Sequence, residues 1–424
     1  MVEVGSSRGE PGRRTSPAMA VLARVLGGMI RKGELTIVDH KKRVYRFGTA
    51  AAGWPSCTIR FADKRVPFAI LRDPVMGVGE AFVDGRLIVE QGTMLDLLTL
   101  VRGNTPWEAG GTFGRRRPLG ARLDRINWAR RARRNVAHHY DLSDGLYQLF
   151  LDAELSYSCA YFRDVGASLE QAQADKNAHI AAKLALAPGM RVLDIGCGWG
   201  GLALYLHEAA GVDVTGITLS ERQLEIASAH AAEAGVSDHV RFALLDYRRA
   251  EATFGGGFDR IVSVGMFEHV GPPQYRTFFE TCRRLLAPDG VMLLHTIGLL
   301  GGPQVTDAWL RKYIFPGGHI PALSEIVAAS ETARLIAADV ETLRLHYAHT
   351  LDHWHARAMA HRAEIEALYD ARFFRMWIFY LAGAIAMFRH GELCNYQIQY
   401  AKDRRALPIT RDYMAAAEEA LRAR

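Results

Sequence analysis

The sequence predicts an α/β fold, in which helices cover both faces of a doubly wound parallel sheet, together with a smaller α+β domain at the amino terminus. From about residue 128 onward, apolar strand-like segments alternate with helical segments, which is the pattern of a parallel sheet. A glycine-rich turn at 196–201 follows one of these strands and opens a helix. Residues 18–102 instead combine a helix at each end with short alternating strands between them, the pattern of a separate unit.

Composition and pattern divide the chain into four segments. Residues 1–17 are rich in Gly, Ser, Arg and Pro, which predicts a disordered tail. Residues 18–110 form the predicted amino-terminal domain. Residues 111–127 contain Gly, Pro and a run of arginines, which predicts a linker. Residues 128–424 form the predicted larger domain, with helical insertions after its sheet strands.

Individual elements follow from hydrophobic periodicity and from turn residues. Helices are predicted at 18–32, 92–102, 200–210, 220–234 and 273–287, with two more near 351–390. Strands are predicted at 35–38, 43–47 and 57–61 in the amino-terminal domain, and at 191–195, 212–217, 240–245, 259–264, 291–296, 340–346 and 393–400 in the larger one.

Bulk composition is that of an ordinary globular protein with a modest positive charge. The 424 residues are 49% hydrophobic and 23% charged, which allows a substantial core. The net charge of +6 favours an anionic partner, such as nucleic acid, an anionic membrane surface or an acidic small molecule, although it is equally explained by solubility. The five scattered cysteines form no CxxC pair, which argues against structural zinc and against disulfides and indicates a reducing cytoplasm.

Two apolar segments bear on membrane association. Residues 18–30 are interrupted by Arg24 and are followed by no cleavage site, so they predict a helix and not a signal peptide. The run Met376–Phe388 is shorter than the roughly 20 residues that span a bilayer. We therefore expect a cytoplasmic protein that contacts the inner face of the membrane only transiently.

The stretch Val192–Gly201 is the most informative motif. A hydrophobic strand reaches Asp194, glycines follow at Gly196, Gly198 and Gly200, and an apolar helix begins. Glycine allows a sharp turn close to a ligand, and the helix amino terminus offers free N–H groups. This spacing favours S-adenosylmethionine and a Rossmann-like class I methyltransferase. A nicotinamide or flavin site, or a purely structural turn, remains as an alternative.

The ends of the next two strands supply the remaining candidate contacts to this cofactor. A carboxylate usually binds the ribose at the end of the second strand. Here that region offers Thr218, Leu219 and Gln223 instead. Asp246, at the end of the third strand, is placed to reach the adenine edge, and Tyr247 to cover the ring.

The chain contains eight short segments, including this glycine motif, whose combination and order are informative. They are His139–Ser143, Tyr157–Phe162, Val192–Gly201, Gly216–Ser220, Gly265–Gly271, Leu293–Ile297, Phe315–Gly318 and His346–Ala348. Together they resemble the cyclopropane fatty acid and mycolic acid synthase family over about residues 136–400. Residues 18–110, with Gly79–Asp84, resemble the additional amino-terminal domain of the phospholipid-modifying branch.

The resemblance implies a reaction and the residues that serve it. A cis double bond of an acyl chain attacks the methyl group of S-adenosylmethionine, and loss of a proton from the resulting cation closes a cyclopropane ring. In this family a bicarbonate ion accepts that proton. The matching positions are Cys159, Glu268, His295 and Tyr347, with the backbone near Ile297. The family's contacts to the cofactor carboxylate match Tyr157 and Ser158.

The side chains at these positions suit that chemistry. An alkene is a weak nucleophile, so positioning must contribute much of the rate. Glu268 can take the bicarbonate proton, while His295 and Tyr347 can donate hydrogen bonds to the ion. A carbocation is stabilised by aromatic faces in a site that excludes water. The aromatic candidates are Tyr161, Phe162, Tyr313, Phe315, Trp354 and Tyr380.

Three features need separate interpretation: one departure from the family pattern, one cluster of histidines and the clusters of arginines. Many relatives carry a cysteine where this chain has Ala384, but methyl transfer to an alkene requires no thiolate. The histidines at 346, 349, 353, 355 and 361 lack a carboxylate or cysteine that completes a metal site, so we expect no metal. The arginines at 115–117 and at 130, 131, 133 and 134 are explained better by anionic phospholipid headgroups than by nucleic acid.

The sequence therefore predicts a lipid methyltransferase that acts on unsaturated phospholipid acyl chains. It leaves open a product with a methyl or methylene branch in place of a ring. It also leaves open a lipid-binding protein without catalysis, and a homodimer as well as a monomer. A nucleic-acid methyltransferase lacks any base-targeting motif in its favour.

Overall fold

The structure is a computed structural model, and it describes residues 15–110 and 144–422. The predicted linker, both arginine runs, the segment His139–Ser143 and most of the predicted tail lie outside these ranges. The described residues form two compact units. One contains the residues up to 110 together with Asp307–Ile314 and Leu351–Glu392, and the other contains the rest.

The amino-terminal residues form a four-stranded sheet with helices. Its elements are α1 (Pro17–Met29), β1 (Gly33–Val38), β2 (Val44–Thr49), β3 (Ser56–Phe61), α2 (Val66–Arg72), α3 (Pro74–Val83), β4 (Leu87–Gln91) and α4 (Met94–Gly103). The strand order is β2-β1-β3-β4, with β1 and β3 parallel and the outer pairs antiparallel. The predicted first helix and three strands are confirmed, whereas α3 and β4 were not predicted.

The remaining elements run from residue 144 to residue 422. The strands are β5 (Arg191–Ile195), β6 (Asp213–Thr218), β7 (Val240–Leu244), β8 (Phe258–Val264), β9 (Leu286–Leu299), β10 (Ile336–Leu343) and β11 (Leu393–Ala401). The helices are α5 (Asp144–Phe150), α6 (Leu169–Leu184), α7 (Gly201–Ala210), α8 (Glu221–Glu233), α9 (Ala250–Phe254), α10 (Tyr275–Leu285), α11 (Ala308–Tyr313), α12 (Leu323–Thr332), α13 (His346–Ala360), α14 (Arg362–Leu368), α15 (Ala371–His390) and α16 (Asp412–Arg422).

The larger sheet has seven strands in the order β10-β11-β9-β8-β5-β6-β7. The five strands β5 to β9 pair in parallel, as predicted. The expectation of a parallel sheet is wrong for β11, which runs antiparallel to both β9 and β10. Every residue of β11 is buried, and although Asn395, Gln397 and Gln399 alternate with Tyr396, Ile398 and Tyr400, this pattern does not reveal which strands lie beside β11.

Side chains on both faces of this sheet are covered by helices. Val192 and Leu193 are neighbours on β5 but belong to two different hydrophobic clusters, and so do Val262 and Ile261 on β8. Since successive side chains on a strand point to opposite faces, each cluster is the core of one face. This confirms the doubly wound α/β class.

Two helices from late in the chain pack within the amino-terminal unit. α11 contacts α3, and α15 contacts α3 and α4. Gly79 of α3 permits this approach, because a Cβ there would lie 2.6 Å from Trp309 Nε1 and 2.8 Å from Phe379. The compact unit thus includes chain that the sequence assigned to the larger domain. Domain boundaries predicted along the sequence cannot show that later segments pack into an earlier unit. The domain boundaries given above therefore stay a prediction.

α15 is also the one described helix that is long and apolar enough to cross a membrane. The expectation that its apolar run is too short is wrong, because Asp370 caps a helix of 20 residues that includes Phe373 and Phe374. Of its most apolar window, 56% is buried inside the fold. A helix in the core of a protein can have the same length and the same apolar composition.

Candidate active site

The glycine-rich turn connects β5 to α7 with three left-handed residues. The φ angles of Gly196, Gly198 and Gly200 are +87°, +56° and +90°, which residues with a Cβ rarely adopt. The backbone N–H groups of Gly196 and Cys197 both donate to the carbonyl oxygen of Ile217 on β6, at 2.9 and 3.1 Å. The turn is therefore fixed against the neighbouring strand at the carboxyl edge of the sheet.

A pocket opens at this edge, and nearly all the predicted cofactor residues line it. They are Tyr157, Ser158, Asp194, Gly196, Gly198, Thr218, Leu219, Gln223, Asp246 and Tyr247. Gly200 does not line the pocket. A Cβ on Gly200 would lie 2.8 Å from the Phe242 ring and 3.0 Å from the Ala227 Cβ, so this glycine allows close packing beneath the turn.

The polar groups at the end of β6 form a compact hydrogen-bonded turn. Thr218 Oγ1 donates to Gln223 Oε1 at 2.8 Å and accepts from the backbone N–H of Ser220 at 3.2 Å. Ser220 Oγ in turn accepts from the backbone N–H of Gln223 at 3.2 Å. The region that usually presents a carboxylate to a ribose thus presents a hydroxyl and an amide.

Asp246 is already engaged by a neighbour that the sequence did not single out. Its Oδ1 accepts hydrogen bonds from the backbone N–H of Arg248 at 3.0 Å and from Arg248 Nε at 2.8 Å. Arg248 also lines the pocket. The adenine edge would therefore meet a carboxylate paired with a guanidinium, not a lone carboxylate.

Two charged groups in the pocket wall are almost wholly buried. Asp194 is 1% exposed and Lys176 is 3% exposed. Burial raises the pKa of Asp194 to about 7, although the positive charge of Lys176 opposes this effect. Lys176 Nζ donates to Ser158 Oγ at 3.4 Å. Lys176 was not predicted, because α6 has so many buried polar residues that it shows no amphipathic pattern.

This pocket fits a ligand with both a cationic and an anionic group. Asp194 Oδ2 is buried and has no hydrogen-bond partner among the described residues. A buried acceptor of this kind is costly unless a ligand completes it. An α-ammonium group would satisfy Asp194, and an α-carboxylate would suit Lys176 and Ser158.

Glu268 and Ile297, both predicted to hold bicarbonate, are in direct contact. Glu268 Oε1 accepts a hydrogen bond from the backbone N–H of Ile297 at 2.6 Å. Burial raises the pKa of Glu268 to about 7, although this hydrogen bond opposes the rise. Glu268 Oε2 is buried without a hydrogen-bond partner among the described residues. Met266 and His269, on either side of Glu268 in the chain, both line the pocket.

His295 lies on β9 with both ring nitrogens occupied by amide side chains of β11. Its Nε2 is 3.0 Å from Asn395 Nδ2, and its Nδ1 is 3.1 Å from Gln397 Nε2. Burial lowers the pKa of His295 well below its usual value, so the ring is neutral at physiological pH. Neither amide was predicted, because the antiparallel register that places β11 beside β9 is not visible in the sequence.

Cys159 and Tyr347 come from segments that are joined by hydrogen bonds. The backbone N–H of Ala160 donates to Thr350 Oγ1 at 3.0 Å, and that of Phe162 donates to His346 Nδ1 at 2.9 Å. Tyr347 is buried in the first turn of α13. Burial raises the pKa of the Cys159 thiol, so this residue has the character of a packed thiol and not of a nucleophile.

The predicted aromatic residues have different surroundings. Tyr161 is stacked between His179 and His346, at ring centroid distances of 4.0 and 4.8 Å, so both of its faces are covered by imidazole rings. The expectation that Tyr161 offers a face to a cation is therefore wrong. The others are placed as follows: Phe162 lies against His349, Phe315 against His269 and Tyr380 against Trp377, Tyr313 donates to Glu80, and Trp354 is fully buried.

In the ranges 15–110 and 144–422, no group of three or more His, Cys, Asp or Glu side chains is arranged to hold a metal ion. The histidines of α13 illustrate this, because His346 accepts from the Phe162 backbone. All five cysteines are free and buried.

Comparison with known proteins assigns this chain to a family. The model for mycolic acid cyclopropane synthetase matches residues 128–398. The chain belongs to the mycolic acid cyclopropane synthetase family. The cyclopropane-fatty-acyl-phospholipid synthase of Escherichia coli strain K12 is 38% identical over 360 residues, which cover 84% of this chain and 91% of the relative.

Two further comparisons extend this family assignment. A probable fatty acid methyltransferase of Pseudomonas putida is 40% identical over 288 residues, 66% of this chain and 73% of the relative. The solved mycolic acid cyclopropane synthase CmaA1, in complex with S-adenosylhomocysteine and CTAB, aligns with a TM-score of 0.60 and 35% identity over 63% of this chain and 98% of its own. The predicted resemblance and the class I S-adenosylmethionine-dependent methyltransferase fold are thereby confirmed.

Proposed function

We propose that this family member methylates the cis double bond of an unsaturated acyl chain in a membrane phospholipid and closes a cyclopropane ring. The observation that carries the proposal is Glu268. It is a buried carboxyl group with a pKa of about 7, bound to the Ile297 N–H and flanked by residues of the cofactor pocket. Such a group can accept a proton at neutral pH where water is excluded.

S-adenosylmethionine supplies an electrophilic methyl group, and a bicarbonate ion supplies a proton acceptor when it is bound. Asp194, Lys176 and Ser158 would hold the amino-acid part of the cofactor. Glu268 Oε2 is the unpartnered acceptor that fits the hydroxyl group of a bicarbonate. Burial around Glu268 keeps the site dry, so that water does not quench a carbocation.

Proton acceptance at Glu268 matches the charge balance of ring closure. The neutral alkene becomes a cation on methyl transfer, and the ring forms when one methyl proton leaves. Glu268 has a pKa of about 7 and lies between pocket residues Met266 and His269 in the chain, so it can serve as the final acceptor. His295 is neutral and held by two amides, which suits a hydrogen-bonding role better than proton uptake.

We propose that the amino-terminal unit docks on an anionic phospholipid surface at the inner face of the membrane. Val21 and Val25 are 51% and 49% exposed on α1, one turn apart, and Arg24 lies exposed beside them. Phe68 on α2, which packs against α1, is 62% exposed. Apolar side chains next to an arginine are the pattern of an interfacial helix, because the chains insert while the cation meets lipid headgroups.

The deciding experiment combines product identification with one variant. Protein is incubated with vesicles of a cis-monounsaturated phospholipid, anionic in part, and with S-adenosylmethionine whose methyl group is trideuterated. Ring closure retains two of the three deuterons, so mass spectrometry should show a dideuterated methylene addition together with release of S-adenosylhomocysteine. Glu268→Gln should lower this rate by about 100-fold or more, as loss of a general base does.

Glu233→Gln is the matched control, since this glutamate is exposed on α8 outside the pocket. Its rate should equal that of the unmodified protein. Near-normal ring formation in Glu268→Gln would disprove the role of Glu268. Cofactor binding without any turnover on vesicles would instead support a lipid-binding protein that has lost catalysis.

A second candidate function is addition of a methyl or methylene branch, which the similarity to the probable fatty acid methyltransferase favours. The same experiment separates the two, because a saturated methyl branch requires a reductant and gives a lipid with two more hydrogen atoms than the ring product. A methylene branch retains two deuterons but keeps an alkene, which takes up bromine, whereas a cyclopropane does so far more slowly.

A further inference from the structure

The two amide contacts of His295 cannot both be donated hydrogen bonds. A neutral imidazole has one N–H donor and one acceptor nitrogen, and burial keeps His295 neutral. Both Asn395 and Gln397 place an amide nitrogen against the ring, at 3.0 and 3.1 Å. One of these amides must therefore present its oxygen instead, and the ring proton must face that oxygen. Amide oxygen and nitrogen have nearly the same shape, so only the surrounding hydrogen bonds can decide which one turns.

Lys183 decides the question for Gln397. Lys183 Nζ lies 2.9 Å from Gln397 Oε1 and is 2% exposed. An ammonium group has three donors and no acceptor, so the Gln397 oxygen must face Lys183. The Gln397 NH₂ group is then the part that faces His295 Nδ1, and it can only donate. Nδ1 is thus the acceptor nitrogen, and the single ring proton resides on Nε2.

Lys183 is itself held firmly by acidic groups. It forms an ion pair with Glu341, whose Oε2 also lies 2.7 Å from His179 Nε2. His179 Nδ1 is 3.0 Å from Glu418 of α16. Although burial alone would raise it, hydrogen bonds from His179 and Lys183 lower the pKa of Glu341 to about 2. Glu341 is therefore ionised at neutral pH and keeps the Lys183 ammonium in place beside Gln397.

We propose that Lys183, acting through Gln397, fixes His295 as the Nε2–H tautomer and is a positioning residue for the reaction. Asn395 then turns its oxygen to the Nε2–H, or yields that donor to a bound oxyanion. The ring is in this way a fixed hydrogen-bond donor and cannot compete with Glu268 as a base. This inference rests on the proposed function for its catalytic consequence, but the tautomer itself can be observed without substrate.

The first test is spectroscopic and uses the full chain. Long-range nitrogen–proton correlation spectra of protein labelled with nitrogen-15 histidine distinguish protonated from unprotonated ring nitrogens. The His295 signals are assigned by their loss in His295→Gln. We expect an unprotonated Nδ1 and a protonated Nε2 in the unmodified protein. A protonated Nδ1 would overturn the proposal, whatever the enzyme makes.

Gln397→Glu is the decisive variant, because a carboxylate at this position can accept from the ring but cannot donate to it. The His295 proton should move to Nδ1, and kcat should fall about 10- to 100-fold with the KM for S-adenosylmethionine changed less than about threefold, as for other residues that orient a site from behind. An unchanged tautomer would refute the proposal that Lys183 acts on His295 through Gln397.

Two comparisons exclude a merely structural effect. Lys183→Arg keeps donors and should retain the Nε2–H tautomer, whereas Lys183→Met should give a mixture of tautomers. If the tautomers behave as expected and no ring product forms, the proposed function fails, while the role of Lys183 and Gln397 in fixing the His295 tautomer stands.

Discussion

Glu268 and Asp194 are two carboxyl groups that titrate in the same range for the same reason. Burial raises the pKa of each to about 7, and each has one carboxyl oxygen without a partner among the described residues. Both are more than nine-tenths buried. They belong to different parts of the site, so their protonation should affect different kinetic constants.

For Glu268 we predict a rise of kcat with pH. Below pH 7 the carboxyl group is mostly protonated and cannot accept a proton, whereas above pH 7 it is mostly ionised. At saturating cofactor, kcat should therefore increase about tenfold from pH 6 to pH 8, with a midpoint near 7. Initial rates of S-adenosylhomocysteine release on vesicles measure this. A profile that is flat over this range would contradict the role of Glu268.

For Asp194 we predict an effect on binding. Asp194→Asn removes the charge that would pair with the cofactor ammonium, and it should weaken S-adenosylhomocysteine binding by about 10- to 100-fold in calorimetry. In the unmodified protein, affinity should fall below pH 7, since Asp194 becomes protonated there. The exposed Asp213→Asn is the control and should bind normally. Equal affinity of Asp194→Asn and the unmodified protein would rule out this contact.

Asp194 also links binding to stability. Its pKa is higher in the folded than in the unfolded chain, so the stability that this group contributes is present at low pH and lost as pH rises through about 7. The free energy of unfolding should fall from pH 6 to pH 8 less steeply in Asp194→Asn. Urea denaturation at the two pH values without cofactor measures the difference.

At the residue scale, site residues that lie within a sequence motif were predicted, whereas site residues that the fold brings in from other elements were missed. Glu268 and Ile297 lie in recognisable segments, and the structure joins them at 2.6 Å. Lys176 lies on a helix whose buried polar residues conceal its amphipathic pattern. Gln397 was missed because the pairing of β11 with β9 is a long-range contact.

At the scale of elements, glycine can be required for two different reasons: a left-handed backbone, or a lack of space for a Cβ atom. Gly200 has a left-handed backbone and also lies against Phe242 and Ala227. Gly189 has a similar φ of +78°, but a Cβ there would meet nothing within 4 Å. The two positions therefore separate backbone strain from steric overlap.

We predict that Gly189→Ala costs about 1–2 kcal/mol of unfolding free energy, which is the backbone penalty alone. Gly200→Ala should cost about 1–3 kcal/mol more, because the added methyl group overpacks the space beneath the turn. Urea denaturation of the two variants gives the comparison. Equal losses would show that the turn relaxes freely and that α8 does not constrain it.

The strands of the sheet were largely predictable, and the order in which they assemble was not. Five parallel strands follow from apolar runs separated by helices, and β5 has the bounds that were expected. β10 begins at Ile336, four residues before its predicted start, because its first residues are exposed. Hydrophobic pattern identifies a strand but does not identify its neighbours.

At the scale of the whole molecule, membrane docking should depend on a few exposed apolar side chains. Phe68→Ser removes an apolar side chain worth about 1.5–3 kcal/mol on burial, so binding to anionic vesicles should weaken about tenfold. Ile409→Ser is the control, because Ile409 is fully exposed but lies in the other compact unit. Vesicle sedimentation measures both. S-adenosylhomocysteine binding should stay unchanged, and equal vesicle binding of the two variants would refute the docking surface.

The position of β11 between β10 and β9 has a consequence for how the protein is made. The ribosome synthesises β9 before β11, so the edge of β9 that pairs with β11 stays open until β11 has been made. An exposed strand edge is a template for wrong pairing. During synthesis the nascent chain must therefore carry a half-built sheet with an open side, and a ribosome that stalls shortly before Leu393 would release a product prone to aggregation.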